Sequence, residues 1–318
     1  MRGTAAFTPA WWLPGAHLQT LVPNLLPRRG TPLRRERLEL PDTDFLDLDW
    51  GPARPGPLVL LLHGLEGSSR SPYAAGLMHR LAQADYQGVV MHFRGCSGEP
   101  NRLPRSYSAG ETGDIRYVVG HVRACLPDRL LGVVGVSLGG NALLRWLGDP
   151  ATGTPVDTAI AISVPFDLAR AAERMNRGFS RLYQWYLLRR LRRSVARKSR
   201  CVTMPVKRAE LRRLKDFRAF DNAVTAPLHG YRDVDDYYGR ASCRPLLSGI
   251  RVPTLILHAE NDPFMTPDVI PKTPEISEAV RLEVAAGGGH AGFMDSFGGR
   301  WLEKRCLAWL GERFPAGR

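Results

Sequence analysis

An apolar run, Leu130–Val134, passes directly into Gly135-Val136-Ser137-Leu138-Gly139-Gly140, and a helical pattern, Asn141–Leu147, follows at once. A buried strand, a glycine-flanked turn and a helix in immediate succession leave few folds open. A serine at such a turn sits at a strained elbow, where glycines on both sides prevent clashes. The start of the helix beneath it favours developing negative charge. The short string alone is a weak signal; the strand–turn–helix setting makes it specific.

The rest of the chain alternates in the same manner. From about Leu38 onward the candidate strands are Phe45–Trp50, Leu58–Leu62, Val89–Phe93, Leu130–Val134, Thr158–Ser163, Thr254–His258 and Arg281–Val284. Several are unbroken Val, Ile and Leu runs, the mark of strands buried on both faces of a parallel sheet. Helix starts are readable between them. Ser71-Pro72 offers an N-cap followed by proline at the first helical position. Ser108-Ala109-Gly110-Glu111 has capping-box spacing and opens a helix towards Cys125. A last helix near Phe297–Phe314 sets Trp301, Leu302, Cys306, Trp309 and Leu310 on one face. The expectation is an α/β fold with a mostly parallel, doubly wound sheet covered by helices. At 318 residues it reads as one domain, residues 1–318, with an internal insertion.

That insertion is visible as a gap in the alternation, after Ser163 and before Thr254. Between Phe166 and Phe220 there are 17 Lys and Arg against 4 Asp and Glu, leaving 27 basic and 27 acidic residues elsewhere. The net charge of +13 therefore belongs to one segment rather than to a generally cationic protein. Inserted at a strand end beside the elbow, residues of about 166–250 are expected to roof the site as a helical, Arg-rich lid. Other classes recede. No run reaches the roughly 18 apolar residues of a membrane span, and the N-terminus, with Pro9, Pro14 and two tryptophans, makes a poor signal peptide. Cys96, Cys125, Cys201, Cys243 and Cys306 are scattered and odd in number, which fits reduced thiols in a cytoplasmic protein. No cluster has metal spacing and no phosphate loop follows a strand, so neither metal nor cofactor is expected.

Three further loops carry chemistry. Leu58–Leu62 ends in His63-Gly64-Leu65-Glu66-Gly67, the place for a second oxyanion donor beside the N–H that follows the nucleophile. The backbone N–H groups of Leu65 and Leu138 are assigned to that hole; His63 reads as a structural turn residue. Thr254–His258 leads into Glu260-Asn261-Asp262-Pro263-Phe264. Asp262 is the favoured acid to orient a histidine, with Glu260 its rival and a plain turn residue the bland alternative. Arg281–Val284 is followed by Gly287-Gly288-Gly289-His290-Ala291-Gly292-Phe293, and His290 is expected to deprotonate Ser137 and later protonate the leaving group. Ser, then Asp, then His is the chain order of α/β-hydrolases and not of the other serine-hydrolase folds.

The chain resembles the YheT-type α/β-hydrolases, family four of that superfamily, which are related to eukaryotic lipases and phospholipases. The likeness covers most of the chain. It rests on Pro14-Gly15-Ala16-His17-Leu18-Gln19-Thr20, His63-Gly64-Leu65-Glu66-Gly67 and Phe93-Arg94-Gly95-Cys96-Ser97-Gly98-Glu99-Pro100-Asn101. Gly110-Glu111-Thr112, the elbow and Thr225-Ala226-Pro227-Leu228-His229-Gly230-Tyr231 complete it. It implies a serine carboxylesterase without cofactor and carries the triad onto Ser137, Asp262 and His290. Two departures stand out. Asn261 replaces the first of the family's frequent paired acids, and Ser108 stands where a histidine is common.

The expected function is cleavage of carboxylic esters, esterase- or lipase-like, on a small-molecule or lipid-like substrate. Thioester or amide hydrolysis, and a non-catalytic binder on the same fold, are the alternatives. Phe179–Arg193 interleaves aromatics and leucines with Arg181, Arg189, Arg190, Arg192 and Arg193. It reads either as a solvated lid face or as a peripheral contact with anionic membranes. No recognised nucleic-acid module accompanies it, so nucleic acid is not an expected partner.

Overall fold

The computed structural model describes residues 2–4, 7–26, 29–153, 155–295, 299 and 301–314. Among the described residues nine strands form one sheet: β1 Arg2–Thr4, β2 Arg34–Glu39, β3 Phe45–Trp50, β4 Leu58–Leu62, β5 Gln87–Met91, β6 Leu131–Val136, β7 Thr158–Ile162, β8 Thr254–Ala259 and β9 Val280–Ala285. Their order is β1-β9-β8-β7-β6-β4-β5-β3-β2. All pairings are parallel except β2 with β3 and β3 with β5. The mostly parallel α/β sheet expected from the apolar runs is therefore present. In β4 the side chains alternate between two cores: Leu58, Leu60 and Leu62 join one, Val59 and Leu61 the other. Each is essentially unexposed, and burying such a side chain contributes about 1.5–3 kcal/mol.

The helices named here are α1 Gly15–Leu25, α2 Pro72–Gln83, α3 Gly113–Cys125, α4 Leu138–Gly148, α5 Leu168–Met175, α6 Ser180–Lys198, α7 Val234–Ala241 and α8 Trp301–Arg313. α3 and α4 supply the first core, α2 and α8 the second. Between β7 and β8 the chain is helical or irregular throughout, with no strand. Leu188, Leu191 and Val195 of α6 pack there against Leu211, Phe220 and Val224 in a core of their own.

Several expectations need correction. β5 runs two residues earlier than Val89–Phe93, and β6 to β9 differ at their ends by a residue or two, while Phe45–Trp50 and Leu58–Leu62 match at both ends. β1 and β2 were not anticipated. β2 reads RRERLE and buries only Leu38, so no apolar alternation announces it. Its Arg35 and Arg37 lie opposite Asp49 and Asp47 and form ion pairs with them at 2.7 and 2.8 Å. Charges that pair across an edge also discourage pairing with another chain.

Ser71 precedes α2, with proline at its first turn, but its side chain does not cap; Ser71 Oγ instead accepts from Ser68 N–H. The Ser108–Glu111 capping box does not form either. α3 starts later, and the Glu111 carboxylate accepts from Gly113 and Asp114 N–H. Phe297, taken as the start of the last helix, lies outside the described residues; α8 begins at Trp301.

The chain passes from β4 to β5 on one side and returns to β6 on the other. The crevice at the carboxyl ends of β4 and β6 is thus a topological switch point, where open α/β sheets place their ligands. Register puts Leu62 beside Gly135, so the His63–Gly67 loop and the elbow leave the sheet side by side.

Candidate active site

Ser137 has φ 54° and ψ −118°, a left-handed conformation that costs a non-glycine residue of order 1–3 kcal/mol. Its surroundings hold it there. Ser137 N–H donates to Ile162 O at 2.8 Å, and Asn141 N–H donates back to Ser137 O at 3.0 Å. The flanking glycines answer to space. A Cβ on Gly139 would meet Leu62 O at 2.5 Å and His63 O at 2.6 Å, and one on Gly135 would meet Gly139 O at 2.5 Å. Only glycine lets α4 approach β4 this closely.

His290 Nε2 lies 3.0 Å from Ser137 Oγ, and its Nδ1 lies 2.8 Å from Asp262 Oδ2. With the carboxylate on Nδ1, that nitrogen carries the proton and Nε2 accepts from the serine hydroxyl. The other Asp262 oxygen accepts from Phe264 N–H at 2.8 Å, and the residue is 3% exposed. Glu260, the rival acid, is solvent-exposed, so Asp262 is the acid at the imidazole. The expected serine, histidine and aspartate are brought together within hydrogen-bond reach.

The loops around them are fixed by groups that spacing did not single out. Phe264 stacks on His290, ring centroids 3.9 Å apart and planes 7° from parallel. His290 N–H donates to Thr20 Oγ1 at 2.9 Å, and Ala291 N–H to Ser163 Oγ at 2.9 Å. Gln19, buried in α1, donates through Nε2 to Met294 O and accepts through Oε1 from Met294 N–H. Asn261, the departure from the paired acids, accepts from Gly289 N–H at 3.1 Å. An amide oxygen performs that task as well as a carboxylate oxygen.

His63 does not reach the serine. Its Nε2 accepts from Phe93 N–H at 3.1 Å, which leaves Nδ1 to donate to Gly64 O at 2.7 Å. Burial lowers its pKa to about 3, so it is a neutral brace between two strand ends. On the same loop, Gly64 N–H donates to Tyr73 OH at 2.8 Å and Glu66 N–H to Tyr107 OH at 2.7 Å. Two tyrosines, Tyr107 buried and Tyr73 half-buried, thus hold the amides on either side of Leu65. Beside Ser108, Ala109 N–H donates to the hydroxyl of Tyr237 on α7 at 3.0 Å.

Ser137, His290, Leu65 and Leu138 border one cavity of about 690 Å³, within the usual range for small-molecule sites. Leu21, Leu182, Tyr183, Leu187, Leu191 and Phe217 contribute much of its apolar wall. Among the described residues no three His, Cys, Asp or Glu side chains come together as a metal-holding group.

Comparison with known proteins agrees with this architecture. A family model described as the alpha/beta hydrolase fold matches residues 57–297. YheT of Escherichia coli (strain K12) is 43% identical over 321 residues, covering 96% of this chain and 93% of that protein. Phospholipase ABHD3 of Mus musculus is 32% identical over 304 residues, covering 92% of this chain and 74% of its own length. Monoacylglycerol lipase of Saccharomyces cerevisiae is 33% identical, covering 80% of this chain and 59% of its own length. Among solved structures, Pyrococcus furiosus esterase Pf2001 superposes with a TM-score of 0.61 at 15% identity, covering 91% of this chain and 99% of that one. At that identity the likeness is one of fold.

Proposed function

Because the chain belongs to the α/β-hydrolase fold family, in the branch that includes YheT, we propose that it hydrolyses carboxylic esters through an acyl-enzyme at Ser137. The observation that carries this reading is the continuous Ser137–His290–Asp262 hydrogen-bond chain opening onto the 690 Å³ cavity. His290 removes the hydroxyl proton as Ser137 Oγ attacks the ester carbonyl. Asp262 stabilises the imidazolium that results. The carbonyl oxygen becomes an oxyanion, received by the N–H groups of Leu65 and Leu138. Collapse of the tetrahedral intermediate breaks the C–O bond, and His290 returns its proton to the departing alcohol. A water then repeats the sequence on the acyl-enzyme, releasing the acid and regenerating Ser137.

The named activities of the relatives, phospholipase and monoacylglycerol lipase, favour an ester with an apolar acyl chain, and so does the wall of the cavity. In this reading residues of about 166–250 form a lid on a single domain. Phe179, Leu182, Trp185 and Tyr186 of that segment remain about half exposed, and Leu182, Trp185 and Tyr186 border the cavity mouth with Leu25 of α1. Arg181, Arg189 and Arg193 are exposed around them. An apolar rim ringed by arginines suits peripheral contact with an anionic membrane. No helix among the described residues is long and apolar enough to cross one, and the proposal is a cytoplasmic enzyme that visits that surface.

A panel of p-nitrophenyl esters of rising chain length, run beside matched thioesters and anilides, tests the reaction class. Faster turnover of esters, peaking beyond the shortest chain, is the expected result. Turnover confined to thioesters or amides, or binding of all three without turnover, would replace the ester reading.

A further inference from the structure

Glu66 is held in a manner its place in a surface-connected loop does not require. Its φ is +54°, a conformation that non-glycine residues keep only where the surroundings impose it. It is 8% exposed, and each of its polar groups is engaged. The N–H donates to Tyr107 OH, and that same hydroxyl donates to Oε1 at 3.1 Å. Burial, and then the nearby Glu66 charge, keep the Tyr107 phenol protonated well beyond its ordinary range, so it stays a donor. The remaining two contacts come from α6. Ser194 Oγ donates to Oε2 at 2.7 Å, and the Arg190 guanidinium donates to the Glu66 carbonyl.

Arg190 and Ser194 are four residues apart and so share one helix face. Further along α6, Ser180 Oγ donates to Pro263 O beside the acid, and Tyr183 packs on Phe264, the ring stacked on His290. Leu65 itself touches the α6 core cluster. One helix therefore meets the acid loop, the ring over the histidine and the oxyanion loop.

We propose that Glu66 is a positioning residue that registers the Leu65 amide to α6, so that the oxyanion site is complete only while α6 is seated. This rests on the ester-hydrolysis reading and extends it: the segment read as a lid would be a structural part of the catalytic geometry. Glu66 touches no reacting atom. It acts by fixing the chain immediately after Leu65, and so the direction of the Leu65 N–H.

The test uses the full chain and two readouts, turnover of a short p-nitrophenyl ester and the rate at which a fluorophosphonate modifies Ser137. The phosphonyl oxygen occupies the oxyanion site, so the labelling rate reads that site independently of acyl-chain fit. Ser194→Ala should lower both kcat and the labelling rate by about tenfold, with KM within about twofold and the unfolding midpoint little changed. Ser194→Thr, which keeps the hydroxyl, should restore both. Glu66→Ala should cost more, on the order of a hundredfold, and Ser194→Ala carries the test if that variant does not fold. Wild-type labelling rates in Ser194→Ala, or a raised KM with kcat unchanged, would overturn the positioning role. Absence of labelling at Ser137 in the unmodified protein would instead refute the parent reading.

Discussion

The loops at the carboxyl edge of the sheet and the helical segment between β7 and β8 meet at one cavity but are held by different forces. The strand ends that launch the edge loops are set by backbone, with Ser137 N–H on Ile162 O, Glu260 N–H on Ala285 O, and glycines at 135 and 139 that no side chain could replace; neutral side chains such as Thr20, Ser163 and Asn261 then hold the loop amides. The segment is set by side chains, and many of them are basic. Arg190 donates to Glu66 O, Arg192 to Leu214 O, Arg197 to Gly95 and Gly98 O, and Lys198 to Arg105 O. Its positive charges thus fall into two populations, one bound to backbone carbonyls and one, with Arg181, Arg189 and Arg193, left facing solvent. A count of arginines does not separate them; only the helix face does.

The sharpest way to break this division is at the acid. Asp262→Asn should lower kcat by about four orders of magnitude with the circular-dichroism spectrum unchanged, because the imidazole loses its charged partner. Glu260→Gln should leave kcat nearly unaltered. The reverse ranking would move the acid to the exposed residue and detach the chemistry from the buried loops at the sheet edge.

Reversing the outward charges probes the other population. The triple change Arg181→Glu, Arg189→Glu and Arg193→Glu should weaken co-sedimentation with phosphatidylglycerol vesicles by at least about a hundredfold, at roughly 1 kcal/mol per basic residue, while turnover of a soluble ester stays the same. Binding should also fall with added salt and be weaker on phosphatidylcholine. Equal, salt-independent binding to both lipids would leave these arginines as a solvated face.

A smaller effect is expected from within the segment. Asp221 begins a π-helical turn, 221–225, and accepts from Thr225 Oγ1 and Tyr238 OH. Burial raises its carboxyl to about 6 from an ordinary 3.8. Above pH 6 the folded protein carries a charge it disfavours, and below 3.8 it does not, so this group weakens the fold as pH rises between those values. Asp221→Asn should therefore raise the unfolding midpoint by a few degrees at pH 8 and by progressively less towards pH 4. A constant difference across that range would show that Asp221 is not the titrating group.

These contrasts also explain what was legible in the sequence. Unbroken runs such as Leu58–Leu62 are read directly because both faces of the strand are buried. The order of Ser137, Asp262 and His290 follows from the loops that end such runs, and the geometry joins those three side chains. β2 was illegible because its partners are ion pairs, which leave no apolar period. Gln19 and Thr20 were quoted for resemblance alone, since nothing local indicates that they hold a loop some 270 residues away. Arg190 was grouped with the surface arginines, because its acceptor is a backbone carbonyl and carbonyls have no sequence signature.

Covalent labelling tests whether Ser137 is the nucleophile of this arrangement. Intact-mass spectrometry after fluorophosphonate treatment should find one adduct per chain, peptide mapping should locate it on Ser137, and Ser137→Ala should abolish it with the fold retained. An adduct that persists in that variant, or maps to another serine, would place the nucleophile elsewhere.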